Sequence, residues 1–195
     1  MQDFLFYLNL GWSHIISWDA LDHQLFILAL VAVYTLKDLK KVLILVTAFT
    51  IGHSFTLVLS ILDVVRFPSN WVEFLIPITI VLTSIGNILM FKNTQKLMKL
   101  NYLLALIFGL IHGMGFANSA RMMIASEQNI AAPLFGFNIG LEFGQIAVVI
   151  LILVLEFLLM KYFKLDKKYW LIIASAIAFL ISLSMAIERI PFAQS

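Results

Sequence analysis

The chain is expected to be an all-α integral membrane protein, a bundle of about six transmembrane helices with an N-terminal interfacial or re-entrant segment and both termini outside. Three observations predict this. Of the 195 residues, 62% are hydrophobic and only 12% are charged, leaving too little polar surface for a soluble domain of this length. Apolar runs near the 20 residues or so needed to cross hydrocarbon recur between short polar breaks. Ten of the 13 basic residues gather in alternate breaks, as the positive-inside rule requires of cytoplasmic loops.

Residues 1–195 read as a single membrane domain, with a lead-in over 1–21 and spans near 22–36, 41–62, 71–91, 100–124, 132–160 and 169–188. The cytoplasmic loops are those carrying Lys37, Lys40 and Lys41, then Lys92, Lys96 and Lys99, then Lys161, Lys164, Lys167 and Lys168. Arg66, Arg121 and Arg189 fall on the other face. A formal charge of +2 gives no reason to expect a nucleic-acid partner. The chain has no cysteine, which excludes disulfides and thiolate metal sites. No Lys or Arg precedes Lys37, so the basic start of a signal peptide is missing and the N-terminus is expected to be retained.

Residues 3–18 (DFLFYLNLGWSHIISW) are apolar and rich in aromatics. They suit either a helix in the membrane interface or a segment re-entering the bundle, which would make seven helices the alternative count. Asp22 and His23 open span one, and Asp19 joins them if the span begins early. The i, i+4 spacing of Asp19 and His23 suits a carboxylate that orients an imidazole, with Asp22 then pointing elsewhere.

Span two contains FTIGHSFTL, in which His53 shares a face with Thr50, Thr56 and Ser60, while Gly52 permits close approach of a neighbour. Span three opens with Glu73 beside Trp71 and carries Pro77, Ser84 and Asn87 on one stripe. Span four contains IFGLIHGMGFA, with Gly109 and Gly113 flanking His112. Met114, Met122 and Met123 read as packing residues rather than a copper site.

Span five contains FGFNIGLEFGQ, where Asn138, Glu142 and Gln145 at i, i+4, i+7 make one polar face. Gly136, Gly140 and Gly144 repeat every four residues on nearly the opposite face, a stripe suited to close helix packing.

All four histidines lie in or beside apolar segments, where ionisable groups usually line a cavity or meet each other. Helix rise puts His53 and His112 each about 18 Å from the cytoplasmic boundary, and Glu142 about 15 Å from the outer one. One polar cluster in the outward-facing half is therefore expected. Neutral imidazoles with carboxylate oxygens suit a divalent ion such as nickel, cobalt or zinc, and ligand type alone does not choose among these.

The blocks GWSHIISWDALDHQLF, FTIGHSFTL, GLIHGMGFA and FNIGLEFGQ together resemble the HupE/UreJ membrane proteins, over residues 11–145. The resemblance implies binding and transport of a nickel- or cobalt-type ion in a bacterial cytoplasmic (inner) membrane, with metalloenzyme-maturation proteins as partners. By position it supports His14, Asp22, His23, His53, His112 and Glu142 as metal residues. It supports Asn138 and Gln145 in the supporting polar shell, with Glu73 at a recurrent acidic position; Asp19 and Ser54 join that shell. In the first block, the SWDAL interval lengthens the spacing between His14 and Asp22.

The alternative is an intramembrane zinc-dependent hydrolase acting on a lipid or membrane-embedded substrate, with metal-activated water and the His53–Ser54 pair compatible with it. A third reading is a proton relay or purely structural subunit. No acid or histidine is expected near the cytoplasmic ends of the helices to continue a transport path.

Overall fold

The computed structural model describes residues 2–124 and 130–191, with side chains over 4–116 and 130–191. These residues form α1 (Gln2–Ile16), α2 (Leu21–Val31), α3 (Leu39–Ile61), α4 (Ser69–Met90), α5 (Thr94–Ile124), α6 (Ala131–Tyr162) and α7 (Lys167–Glu188). Short 3-10 turns, Trp18–Ala20 and Leu36–Asp38, precede α2 and α3. There is no strand among the described residues. Helices α3 to α7 are long and apolar enough to cross a membrane, and they coincide with the last five expected spans.

The expected span over 22–36 is different. Helix α2 ends at Val31, so its length is only about 16 Å, half of the hydrocarbon thickness. The chain leaves the helix because Thr35 is extended (φ −130°, ψ 171°) and caps the following turn. Its amide and hydroxyl both donate to Asp38 Oδ2, at 3.3 and 3.1 Å, a reciprocal cap that starts a new helix instead of prolonging the old one.

Helix α2 therefore leaves carbonyls near its end without helical donors, and two buried amides supply them. Asn87 Nδ2 on α4 donates to Ala29 O at 2.6 Å, and Asn101 Nδ2 on α5 donates to Leu30 O at 2.9 Å.

The apolar lead-in is helix α1, and it lies along the glycine stripe of α6. A methyl group on Gly140 would run into the Leu8 carbonyl oxygen, and one on Gly136 would sit 3.0 Å from the Phe4 carbonyl oxygen. On Gly144 it would lie 2.9 Å from Ile15 Cβ, and on Gly11 it would strike the Phe137 carbonyl. Backbone-to-backbone packing of this kind needs residues without a Cβ on both helices. Farther along, Lys167 joins the Tyr34 carbonyl to Glu156. Residues 4–34 thus run beside residues 136–156, with α1 and α2 as two halves of one path broken over 17–20.

Helices α3 and α5 approach in the same way. A methyl on Gly52 would meet Leu106, one on Gly109 would meet the Phe49 carbonyl, and one on Gly113 would meet the His53 carbonyl. Thr56 Oγ1 adds a hydrogen bond across the pair, to Leu110 O at 2.7 Å. The contact sets His53 and His112 at one level.

Candidate metal centre

The break between α1 and α2 brings His14, on the last turn of α1, against Asp22 and His23 on the first turn of α2. Ring centroids lie 4.6 Å apart for His14 and His23, 4.0 Å for His23 and His112, and 5.8 Å for His14 and His53. All four histidines therefore form one chain of contacting rings. His23, His53 and His112 are buried and His14 is half-buried.

Asp22 joins this chain through one oxygen. Its Oδ1 lies 3.0 Å from His23 Nδ1 and 3.9 Å from His112 Nε2, and it also accepts the His23 amide at 2.8 Å. A carboxylate facing Nδ1 holds the proton there, which leaves Nε2 of His23 as a lone pair. One ligand atom each from Asp22, His23 and His112 lie within 4.8 Å of one another, the spacing of a group that could hold a metal ion.

The donor chemistry fits such an ion. His14 Nε2, His23 Nε2, and both ring nitrogens of His53 and His112 are buried without a hydrogen-bond partner. An unpartnered buried polar atom costs about 1–3 kcal/mol, and clustered imidazole nitrogens without protein partners suit a bound cation.

A cavity of about 320 Å³ opens beside this group, lined among others by His14, Asp22, His23, Glu73, His112 and Arg189. Asp19 and Glu73 are exposed in its wall. Arg189, at the end of α7, places NH1 3.7 Å from Asp22 Oδ2. On the other side of the rings the bundle is closed by aromatic side chains. Phe26 and Phe108 stack with centroids 3.4 Å apart and planes at 4°, and Phe49 packs against Phe26, Phe108, His53 and His112.

Several expected positions fall elsewhere. Asp22, not Asp19, partners His23, because the 3-10 turn over Trp18–Ala20 takes Asp19 off the helical face that its spacing assumed. Glu142 does not join the imidazoles. It accepts a hydrogen bond from Thr47 Oγ1 at 2.7 Å in a groove of about 480 Å³ between α3 and α6. Ser54 lines that groove too and donates to Thr50 O at 2.7 Å. Gln145 accepts from Thr50 Oγ1 at 3.1 Å. Asn138 is half-buried, with its Oδ1 unpartnered. The polar face of α6 thus serves the α3 contact, while its glycine face receives α1. Met114 packs against the core; the side chains of Arg121, Met122 and Met123 lie outside those described.

Two charged residues escaped the reading of the sequence. Arg189 sits just past the last apolar run, where it reads as a flanking cation. Glu156 interrupts VVILILVLEFLLM and is buried on α6, paired with Lys167 at 2.5 Å. It places an acid near the helix ends that were expected to face the cytoplasm, where none was expected. Its signal was the one that exposed Glu142, a lone carboxylate inside an apolar span.

A protein-family model described as HupE / UreJ protein matches residues 1–189. No curated protein and no solved structure matches the chain.

Proposed function

The chain belongs to the HupE/UreJ family, and from that membership together with the unpartnered imidazoles we propose that it binds a divalent metal ion of the nickel or cobalt type and carries it across the membrane. The observation that carries this reading is the group of Asp22, His23 and His112 beside an open cavity. His14 and His53 extend the set through their ring contacts. In this account α1 and α2 make the first of six crossings as a discontinuous helix, with both chain ends on the non-cytoplasmic side. Binding at such a break is how many transporters expose a site near mid-membrane to one face at a time. The cavity is the outer access, and the Phe26–Phe108 stack is the inner closure.

Imidazole nitrogen with one carboxylate oxygen favours borderline ions over magnesium or calcium, which prefer all-oxygen shells. Asp19 and Glu73 in the cavity wall raise the local concentration of cations at the mouth. The deciving experiment is elemental analysis of the purified chain, coupled to Co²⁺ or Ni²⁺ uptake by proteoliposomes. Metal near one per chain, lost in His112→Ala, with uptake into sealed vesicles, is the expected outcome; binding without uptake removes transport.

One feature favours hydrolysis as a second reading. Three protein ligands beside an open cavity match the arrangement in which a zinc ion keeps a position for water, and Glu73 in the wall is a carboxylate available as a base. Tightly held zinc with no vesicle uptake is the result that selects it.

A further inference from the structure

The carboxylate of Glu156 is buried within α6, and its partner is the ammonium of Lys167, at 2.5 Å. The same ammonium donates to the backbone carbonyl of Tyr34, just beyond the end of α2. A cation thus sits between a carboxylate oxygen and a main-chain oxygen that lies outside any helix. Half-helix ends and unwound carbonyls in discontinuous membrane helices provide this environment for transported cations. Here the occupant is tethered to the chain.

The packing around α2 also leaves two amide oxygens without donors. The Oδ1 atoms of Asn87 and Asn101 are buried and unpartnered, while their amide nitrogens bind Ala29 O and Leu30 O. These amides lie along α2 between His23 and Tyr34, a stretch of about 16 Å by helix rise. Helix α7 joins the two ends of the path, since Lys167 at its start meets Glu156 and Arg189 just past its end meets Asp22. Each membrane carboxylate on the path is faced by a cation from the same helix.

Resting on the transport reading, we propose that the Glu156 carboxylate and the Tyr34 carbonyl form a second, inner cation site, which the transported divalent ion occupies after leaving the imidazoles and from which it displaces the Lys167 ammonium. The change of ligands gives the step its direction. Oxygen donors hold borderline divalent ions more weakly than imidazoles do, so an ion that reaches Glu156 is released to the cytoplasm more readily than from the histidines. Lys167 refills the site and keeps it from standing open.

The test counts Mn²⁺, an ion suited to oxygen ligands, by the loss of its free electron paramagnetic resonance signal in detergent-solubilised protein. The imidazole site is first removed by His112→Ala. That variant is expected to bind no Mn²⁺, the His112→Ala/Lys167→Gln variant one per chain, and the His112→Ala/Glu156→Gln/Lys167→Gln variant none. No binding in the folded double variant, or equal binding in the triple variant, overturns the inner site. Should the double variant fail to fold, Lys167→Gln alone decides, with one more bound Mn²⁺ than the wild-type chain supporting the proposal and an unchanged count rejecting it. Failure of the transport reading is separate, because it appears as absent Co²⁺ uptake by the wild-type chain.

Discussion

Asp22 Oδ1 lies 3.0 Å from His23 Nδ1 and 3.9 Å from His112 Nε2, so one carboxylate oxygen faces imidazoles from two helices. Whether Asp22 binds the ion or only orients His23, replacing it should weaken the site. Asp22→Asn is expected to lower Co²⁺ affinity by about tenfold to a hundredfold, the usual cost of losing a group that orients a metal ligand. Isothermal titration in detergent measures it, and an unchanged affinity would exclude Asp22 from the centre.

Arg189 acts in the opposite sense. Its guanidinium is 3.7 Å from Asp22 Oδ2 and lines the same cavity, so it competes with an incoming cation for that carboxylate. Arg189→Gln is expected to tighten binding of the bare ion, on the order of several-fold at low salt and less at physiological ionic strength. Weaker binding in this variant would mean that Arg189 supports the site's geometry instead.

Proton competition follows from the ligands. Imidazole binds metal only as the neutral ring, so metal affinity is lost wherever acid protonates the ligands. Two imidazole ligands predict a loss approaching about a hundredfold per pH unit in the acid range. Co²⁺ absorption titrated from neutral pH into the acid range reads this slope; a fall of only about tenfold per unit points to one imidazole.

Glu142 separates the two possible clusters. Because it bonds to Thr47 in the α3–α6 groove, Glu142→Gln is expected to leave metal stoichiometry unchanged by elemental analysis. Loss of the metal in a folded Glu142→Gln variant would require a different arrangement of α6.

The glycine contacts make a paired prediction. A Cβ at Gly140 would collide with the Leu8 carbonyl, whereas one at Gly86 has nothing within 4 Å. Gly140→Ala should therefore destabilise by about 1–3 kcal/mol through overpacking. Gly86→Ala should be neutral or up to about 1 kcal/mol stabilising through helix propensity. Thermal melting in detergent compares them, and equal midpoints would remove the close-packing account of α1 on α6.

Much of the architecture was legible because a bilayer imposes simple rules. Five long spans followed from apolar run length, and the basic clusters set their expected order across the membrane. The α6 glycine stripe also announced a close partner, although its period could not name α1 as that partner. The histidines stood out because imidazoles are costly in hydrocarbon unless they meet other polar groups. The first span was misread because hydropathy averages over a window and is blind to the Thr35–Asp38 cap that ends α2 early. Glu142 was grouped with the histidines because depth along a helix says nothing about which neighbour its face meets.

By itself, then, the sequence determined the lipid solvent of this chain, its last five long helices and the histidines as a polar group among its apolar segments, since each depends on local composition and helical period. Only the tertiary structure decided that α1 and α2 share one broken path beside α6. It alone placed Asp22 instead of Asp19 against His23, sent Glu142 to a separate groove, and set Lys167 upon Glu156. The physical reason is that helix rotation and neighbour choice depend on the fit between facing surfaces, here glycine backbones meeting carbonyl ridges. That fit is a property of pairs of helices and is not written in either one alone.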